Sequence, residues 1–270
     1  MSFNQFEFFD LGYLDYLSYK DTFIHRIDPR AKLIVSLIFI ITVISFPKYE
    51  ISSLFIYFFF PIFLIAMADL PAKVIIKRIF IVSPFALMIG IFNPIIDRKV
   101  IITIYGLGIT SGWISYFSII IKFILTVSTG FILIATTSFP GICLALEKLK
   151  VPKVFVLQLM FIYRYIFVLG EEVVRTMRAR ELRSFGKKGY ELSIAGNILG
   201  TLLLRTIDRS ERIYQSMCSR GFTGNINLSK KINFTLTDLL YTLILSAMFI
   251  VLRFFSGSYA VGRMLLGKGS

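Results

Sequence analysis

Histidine is nearly missing from this 270-residue chain: His25 is the only one. Zinc sites draw on Cys, His and carboxylates at close, characteristic spacings, and no such cluster occurs here, so neither a bound metal nor a cofactor is expected. An enzyme working inside a membrane would need a nucleophile with its base, or a metal set, and one histidine ahead of the first apolar stretch supplies neither. Cysteine is scarce too. Cys143 and Cys218 fall in stretches expected at or near the cytoplasmic face, which predicts two buried or inert thiols rather than a disulfide. Acidic residues are outnumbered, 16 against 30 Lys and Arg, for a formal charge of +14. Such an excess spread over a solvated groove would suit nucleic acid, but here it is confined between apolar blocks and reports membrane topology, so no nucleic-acid partner is expected. The first thirty residues hold no uncharged apolar run ahead of a small-residue cleavage site, so insertion is expected to rely on the spans themselves. Near the end, Gly262 to Gly269 resembles a phosphate loop but has Gly269 where Ser or Thr is required.

What the chain has in abundance is apolar surface. It is 56% hydrophobic and 16% aromatic, with mean hydropathy +0.76, where soluble domains hold roughly 45–50% apolar residues. The expectation is an all-α polytopic membrane protein with about five transmembrane helices. An aromatic and acidic leader, Met1 to Thr22, is expected along the membrane surface. Asp28 is a good N-cap and Pro29 suits the first helical position, so a helix should begin there and carry the first span, Leu33 to Phe46. The second span is Ile51 to Ala68, and the third runs from Ile79 to about Ile96, kinked by Pro84, Gly90 and Pro94. A β-like or irregular loop from Arg98 to Gly112 leads to Trp113, an interfacial anchor. The fourth span, Ile114 to Phe139, has a small and hydroxylated face (Thr126, Ser128, Thr129, Gly130, Thr136, Thr137) suited to close helix contact. Lys122 near its start is expected to snorkel. Asn233 to Phe255 is the last span. Residues 1–139 are thus read as leader and four spans, 140–232 as a cytoplasmic helical insertion, and 233–270 as the final span and a short tail.

Charge orients the bundle. The leader, the loop after the second span and the insertion hold 4, 3 and 16 of the Lys and Arg residues, whereas the loops after the first and third spans hold only Lys48 and the pair Arg98 and Lys99. The positive-inside rule therefore places the N-terminus and the insertion in the cytoplasm.

Within the insertion, Val151 to Gly170 is nearly apolar, with Lys153, Gln158 and Arg164 the exceptions. It continues without a breaker into Glu171 and Arg175, spaced i, i+4 in the favourable order, which predicts one long helix ending before the Gly-rich basic turn at Phe185 to Tyr190. A second helix is expected from Glu191 to Arg220, stopped by Gly221. The end of each carries a related piece: residues 179–185 and 216–222 superpose at an offset of 37 positions. A lone arginine at a helix end reads as a solvated cation favoured by the dipole. Two at matched positions, Arg183 and Arg220, each followed by a small residue, read as docking points, because a guanidinium fork can hold a carboxylate with two hydrogen bonds.

The pair Leu182-Arg183-Ser184 and Ser219-Arg220-Gly221 resembles the two Ala-Arg-Gly or Ala-Arg-Ser motifs in the transmembrane T component of energy-coupling-factor transporters. The prelude His25-Arg-Ile-Asp28-Pro29-Arg30-Ala-Lys32 is similar to that family's N-terminal signature, and the run from Leu199 to Tyr214 resembles the cobalt/nickel-type Q subunit. Neither motif begins with Ala, and a competing register places Arg180 at the first tip.

The resemblance implies a non-catalytic scaffold in a prokaryotic cell membrane. It would join two cytoplasmic ABC-type ATPase subunits, identical or different, to a substrate-binding integral membrane subunit. Arg183, Ser184, Arg220 and Gly221 would dock the ATPases, flanked by Leu182 and Ser219. Arg164, Glu171, Arg175, Arg180, Arg205 and Arg209 would support the helices, and Asp28, Pro29, Arg30 and Lys32 would form the N-terminal signature. Cobalt or nickel is the implied cargo, with a vitamin the alternative. A self-contained secondary transporter should instead show paired intramembrane charges, and Lys122 has no acid at its depth in the sequence pattern.

Overall fold

The computed structural model describes residues 15, 17–47, 51–96, 100–104, 107–183, 191–222 and 234–254. The aromatic leader before residue 15, the Arg98 and Lys99 loop, Ser184 with the basic turn that follows it, and the tail after residue 254 lie outside these residues. In chain order the elements are α1 (Phe23–Arg26), α2 (Pro29–Ile44), α3 (Ile51–Ile56), α4 (Phe59–Met67), α5 (Ala72–Gly90), α6 (Phe92–Ile96), β1 (Val100–Ile104), β2 (Leu107–Thr110), α7 (Ser111–Thr136), α8 (Phe139–Lys148), α9 (Lys153–Arg183), α10 (Glu191–Ser219) and α11 (Leu236–Phe254). The β-like loop is a short antiparallel hairpin, β1 with β2, and the other elements among the described residues are helices. The described residues fall into two compact units, those within 139–231 forming one and those within 14–138 and 232–270 the other.

The second of these units is the apolar bundle. Its core is built on α2, where Val35, Phe39 and Val43 recur at helical spacing and are fully buried. Phe39 packs against Phe60 of α4 and Phe249 of α11 with ring centroids 4.7 and 5.2 Å apart. The outer faces carry Phe55, Phe80, Phe85 and Met88 in the open. In water an apolar surface of that extent would drive aggregation; in a bilayer it is the lipid-facing side.

Two of the expected spans are corrected. The first is 16 residues of helix, starting at the expected Asp28 cap and ending at Ile44, before Pro47, about 24 Å long at 1.5 Å per residue. The second is not continuous: α3 and α4 are separated at Tyr57 and Phe58. Pro61 has no N–H to give the Tyr57 carbonyl, which takes the Phe60 N–H instead at 3.3 Å. Among the described residues, four helices qualify by length and composition as crossing a membrane: Ala72–Pro94, α7, α9 and α11. The third span therefore starts earlier than expected, with Ala72 to Arg78 forming the first part of α5. At Gly90 this helix passes close to its neighbour, since a Cβ there would lie 2.9 and 3.0 Å from the Tyr116 ring. On α7, Ser128, Thr129 and Thr136 are buried as expected, whereas nothing approaches Gly130 within 4 Å of an added Cβ.

In the unit of residues 139–231, α8 leads into α9, with the Phe139 ring stacked on Tyr163 at 4.5 Å. α9 is one continuous helix of 31 residues, and α10 packs against it.

Candidate functional site

Arg183 is the last residue of α9 and is exposed. The second arginine sits at the end of α10 in a glycine-dependent cap. Gly221 adopts φ +77°, the left-handed conformation that costs a residue with Cβ about 1–2 kcal/mol. Its N–H donates to the Cys218 carbonyl at 3.0 Å, and the Phe222 N–H reaches the Met217 carbonyl at 3.1 Å. This double bond pattern is the Schellman motif, and it makes Arg220 the C-cap residue, exposed at the point where the chain turns away. The Ser219 hydroxyl donates to the Gln215 carbonyl at 2.9 Å, whereas Leu182 is 75% exposed. Ser184 is outside the described residues.

Each arginine lines its own cleft between α9 and α10. The first cleft, about 730 Å³, is lined by Arg175, Arg180, Arg183, Arg205 and Arg209 with Glu171 and Glu172. The second, about 680 Å³, has Arg164, Arg209, Arg212 and Arg220 and no carboxylate in its lining, with Phe161, Tyr165 and Phe222 adding apolar wall. Guanidinium groups concentrated in a recess focus positive potential on whatever enters, so both clefts suit acidic side chains. Arg180 and Arg183 line the same cleft, so the competing registers for the first tip meet at one place.

The supporting residues are not all arranged as the sequence suggests. Glu171 and Arg175 form the anticipated i, i+4 contact at 3.4 Å, but on an exposed surface, where such a pair contributes little. The organising carboxylate is its neighbour. Glu172 takes Arg205 on Oε1 at 3.5 Å and Arg209 on Oε2 at 3.2 Å. Sequence reasoning passed over Glu172, although Arg205 and Arg209, one helical turn apart, announce a face that wants an acid.

The N-terminal signature forms a buried polar knot in the apolar unit. Asp28 caps α2 as expected, its Oδ1 accepting from the Arg30 N–H at 2.8 Å, with Pro29 at the first helical position. The Arg30 guanidinium lies 3.7 Å from the same oxygen. The Asp28 N–H in turn donates to Oδ1 of Asp238 at 2.9 Å, and Oδ2 of Asp238 accepts from the Thr235 N–H and hydroxyl at 2.8 and 2.5 Å. Lys32, itself buried, donates to the Thr136 carbonyl at 2.8 Å and the His25 carbonyl at 3.3 Å. The knot thus joins the start of α2, the end of α7 and the start of α11. Asp238 was missed, and its signal was an acid in the first turn of an apolar span, a position that requires a partner. Lys122 donates to the Phe46 carbonyl just past the end of α2, beside Arg253, which donates to the Ser45 carbonyl at 3.1 Å and lies over the Phe46 ring at 4.5 Å. Among the described residues no group of three or more His, Cys, Asp or Glu is placed to hold a metal ion.

The family model for cobalt transport protein, CbiQ, matches residues 20–232, a range that takes in the Asp28 to Lys32 signature and both arginine tips. An uncharacterized protein of Methanocaldococcus jannaschii is 29% identical over 84% of this chain and 82% of its own length. The energy-coupling factor transporter transmembrane protein EcfT of Streptococcus thermophilus is 25% identical over 78% of this chain and 84% of its own. Nickel permease LarQ of Lactiplantibacillus plantarum is 29% identical over 33% of each.

Proposed function

This chain belongs to the cobalt transport protein family, CbiQ, and from that premise we propose that it is the energy-coupling membrane subunit of a cobalt or nickel importer. In this reading α9 and α10 carry the work of two partner ATPase subunits to a substrate-binding membrane subunit. The observation that carries the reading is the pairing of one tip arginine with one cationic cleft, Arg183 in the first and Arg220 in the second. An acidic residue on each ATPase would enter its cleft and take two parallel hydrogen bonds from the guanidinium. ATP hydrolysis belongs to the partners, and the two helices together with the N-terminus face the cytoplasm, in keeping with the 16 Lys and Arg residues between Phe139 and Lys231. The match to a nickel permease supports a divalent metal ion as cargo, held by the substrate subunit and not by this chain.

The experiment is capture of the ATPases by affinity-tagged chain from membranes. The double substitution Arg183→Ala with Arg220→Ala is expected to abolish capture while membrane insertion stays at the native level. Undiminished capture would refute docking through these arginines. Arg183→Lys is expected to lower ATP-driven uptake as well, since an ammonium cannot reproduce the planar fork. The small membrane protein recovered with native chain identifies the cargo.

A further inference from the structure

The offset of 37 that relates the two tips extends through the helices behind them. It also carries Glu171 onto Asp208 and Arg175 onto Arg212, repeating an acid and an arginine one turn apart, and it carries Glu172 onto Arg209. That last pair is an ion pair, Glu172 Oε2 to Arg209 Nη1 at 3.2 Å, across a separation of 37 residues. Equivalent positions of two repeats touch each other only where the repeats cross. The salt bridge therefore marks the crossing point of α9 and α10. Eleven residues separate Glu172 from Arg183, and eleven separate Arg209 from Arg220. On a helix that is about 16 Å and about three turns, so each tip lies at the same distance from the crossing and close to the azimuth of its own crossing residue. Arg209 accordingly lines both clefts.

We infer that Glu172 is a positioning residue that pins the two helices at equivalent points, so that Arg183 and Arg220 are offered at matched distances to a partner with two equivalent acidic sites. The pin needs a carboxylate because it is two-pronged: Arg205 and Arg209 each occupy one oxygen, and a single-pronged contact would leave α10 free to slide by a turn. Its side chain is only 23% exposed, against 59% for Arg205 and 40% for Arg209, which shields the contact from the screening that weakens surface pairs. The helix crossing stands without the docking reading; only the nature of the partner rests on it.

The test measures spacing directly. Spin labels are placed at Leu182→Cys and Ser219→Cys, both exposed, in the full chain carrying Cys143→Ser and Cys218→Ser, and the distance between them is read by pulsed electron resonance in lipid nanodiscs. The native sequence is expected to give one narrow distance, and Glu172→Gln a broad distribution with an unchanged elution profile. The exchange Glu172→Arg with Arg205→Glu and Arg209→Glu again sets one charged group of α9 between two of opposite sign on α10 and is expected to restore the narrow distance. A Glu172→Gln distribution as narrow as the native one overturns the inference, and so does a triple exchange as broad as the single variant. ATPase capture by the Arg183 and Arg220 double variant is scored separately. Retained capture there would remove the docking reading and leave the pin to be decided by the distances.

Discussion

Asp238 accepts three hydrogen bonds on two oxygens, from the Asp28 N–H and from the N–H and hydroxyl of Thr235, while 4% exposed. Its removal leaves one buried backbone donor, the Asp28 N–H, unpaired, at about 1–3 kcal/mol. Asp238→Ala is therefore expected to destabilise the protein by about 1–3 kcal/mol, seen as a fall in thermal midpoint in detergent. Asp238→Asn should cost less, because its amide oxygen can still accept from Asp28. His25 sits at the rim of the same knot, its Nδ1 2.7 Å from the Thr22 hydroxyl. Burial, with Lys32 nearby, holds the ring below its ordinary value of 6.5. The folded state thus resists protonation more than the unfolded chain does. The stabilisation is complete above pH 6.5 and is lost as pH falls from there through the lower folded value. Thermal midpoints measured from pH 8 to pH 5 should decline in this window, and the decline should be shallower in His25→Gln.

At the scale of elements, what ends or bends a helix was partly written in local sequence. Asp28 with Pro29 starts α2, and Gly221 ends α10 in the left-handed conformation. The same signal class was overlooked at Pro61, where the missing N–H divides one apolar block into α3 and α4. Helix proximity is a different matter, because a glycine in a span is permissive whether or not anything approaches it. Gly90 is crowded by Tyr116 and Gly130 by nothing. Gly90→Ala would push a methyl into the near edge of the Tyr116 ring, and an overpacked contact of this kind costs about 1–3 kcal/mol. The expected result is a lower thermal midpoint that Tyr116→Ala largely restores in the double variant, a non-additivity of the sort contacting residues show. Additive losses would mean that the two side chains do not meet.

For the whole molecule, composition alone decides that the chain lives in a membrane, and the grouping of Lys and Arg gives the expected orientation. The two cysteines make that orientation measurable. Cys218 is exposed and Cys143 is buried, and burial pushes the Cys143 thiol up to about 11, well away from the reactive thiolate. A membrane-impermeant maleimide should therefore label the chain once, at Cys218, in inside-out vesicles and leave it unlabelled in intact cells; the reverse pattern would invert the proposed topology. The sequence by itself determined the class of protein, the start of α2, the two tip arginines and the cap that presents Arg220, because each is encoded by residues within one or two turns of one another. Only the tertiary structure decided that Glu172 rather than Glu171 joins α9 to α10, and that the N-terminal signature closes on Asp238, 210 residues away. Periodicity tells which face of a helix is polar, but the partner of a buried charge is fixed by which helices pack together, and that is a property of the assembled fold.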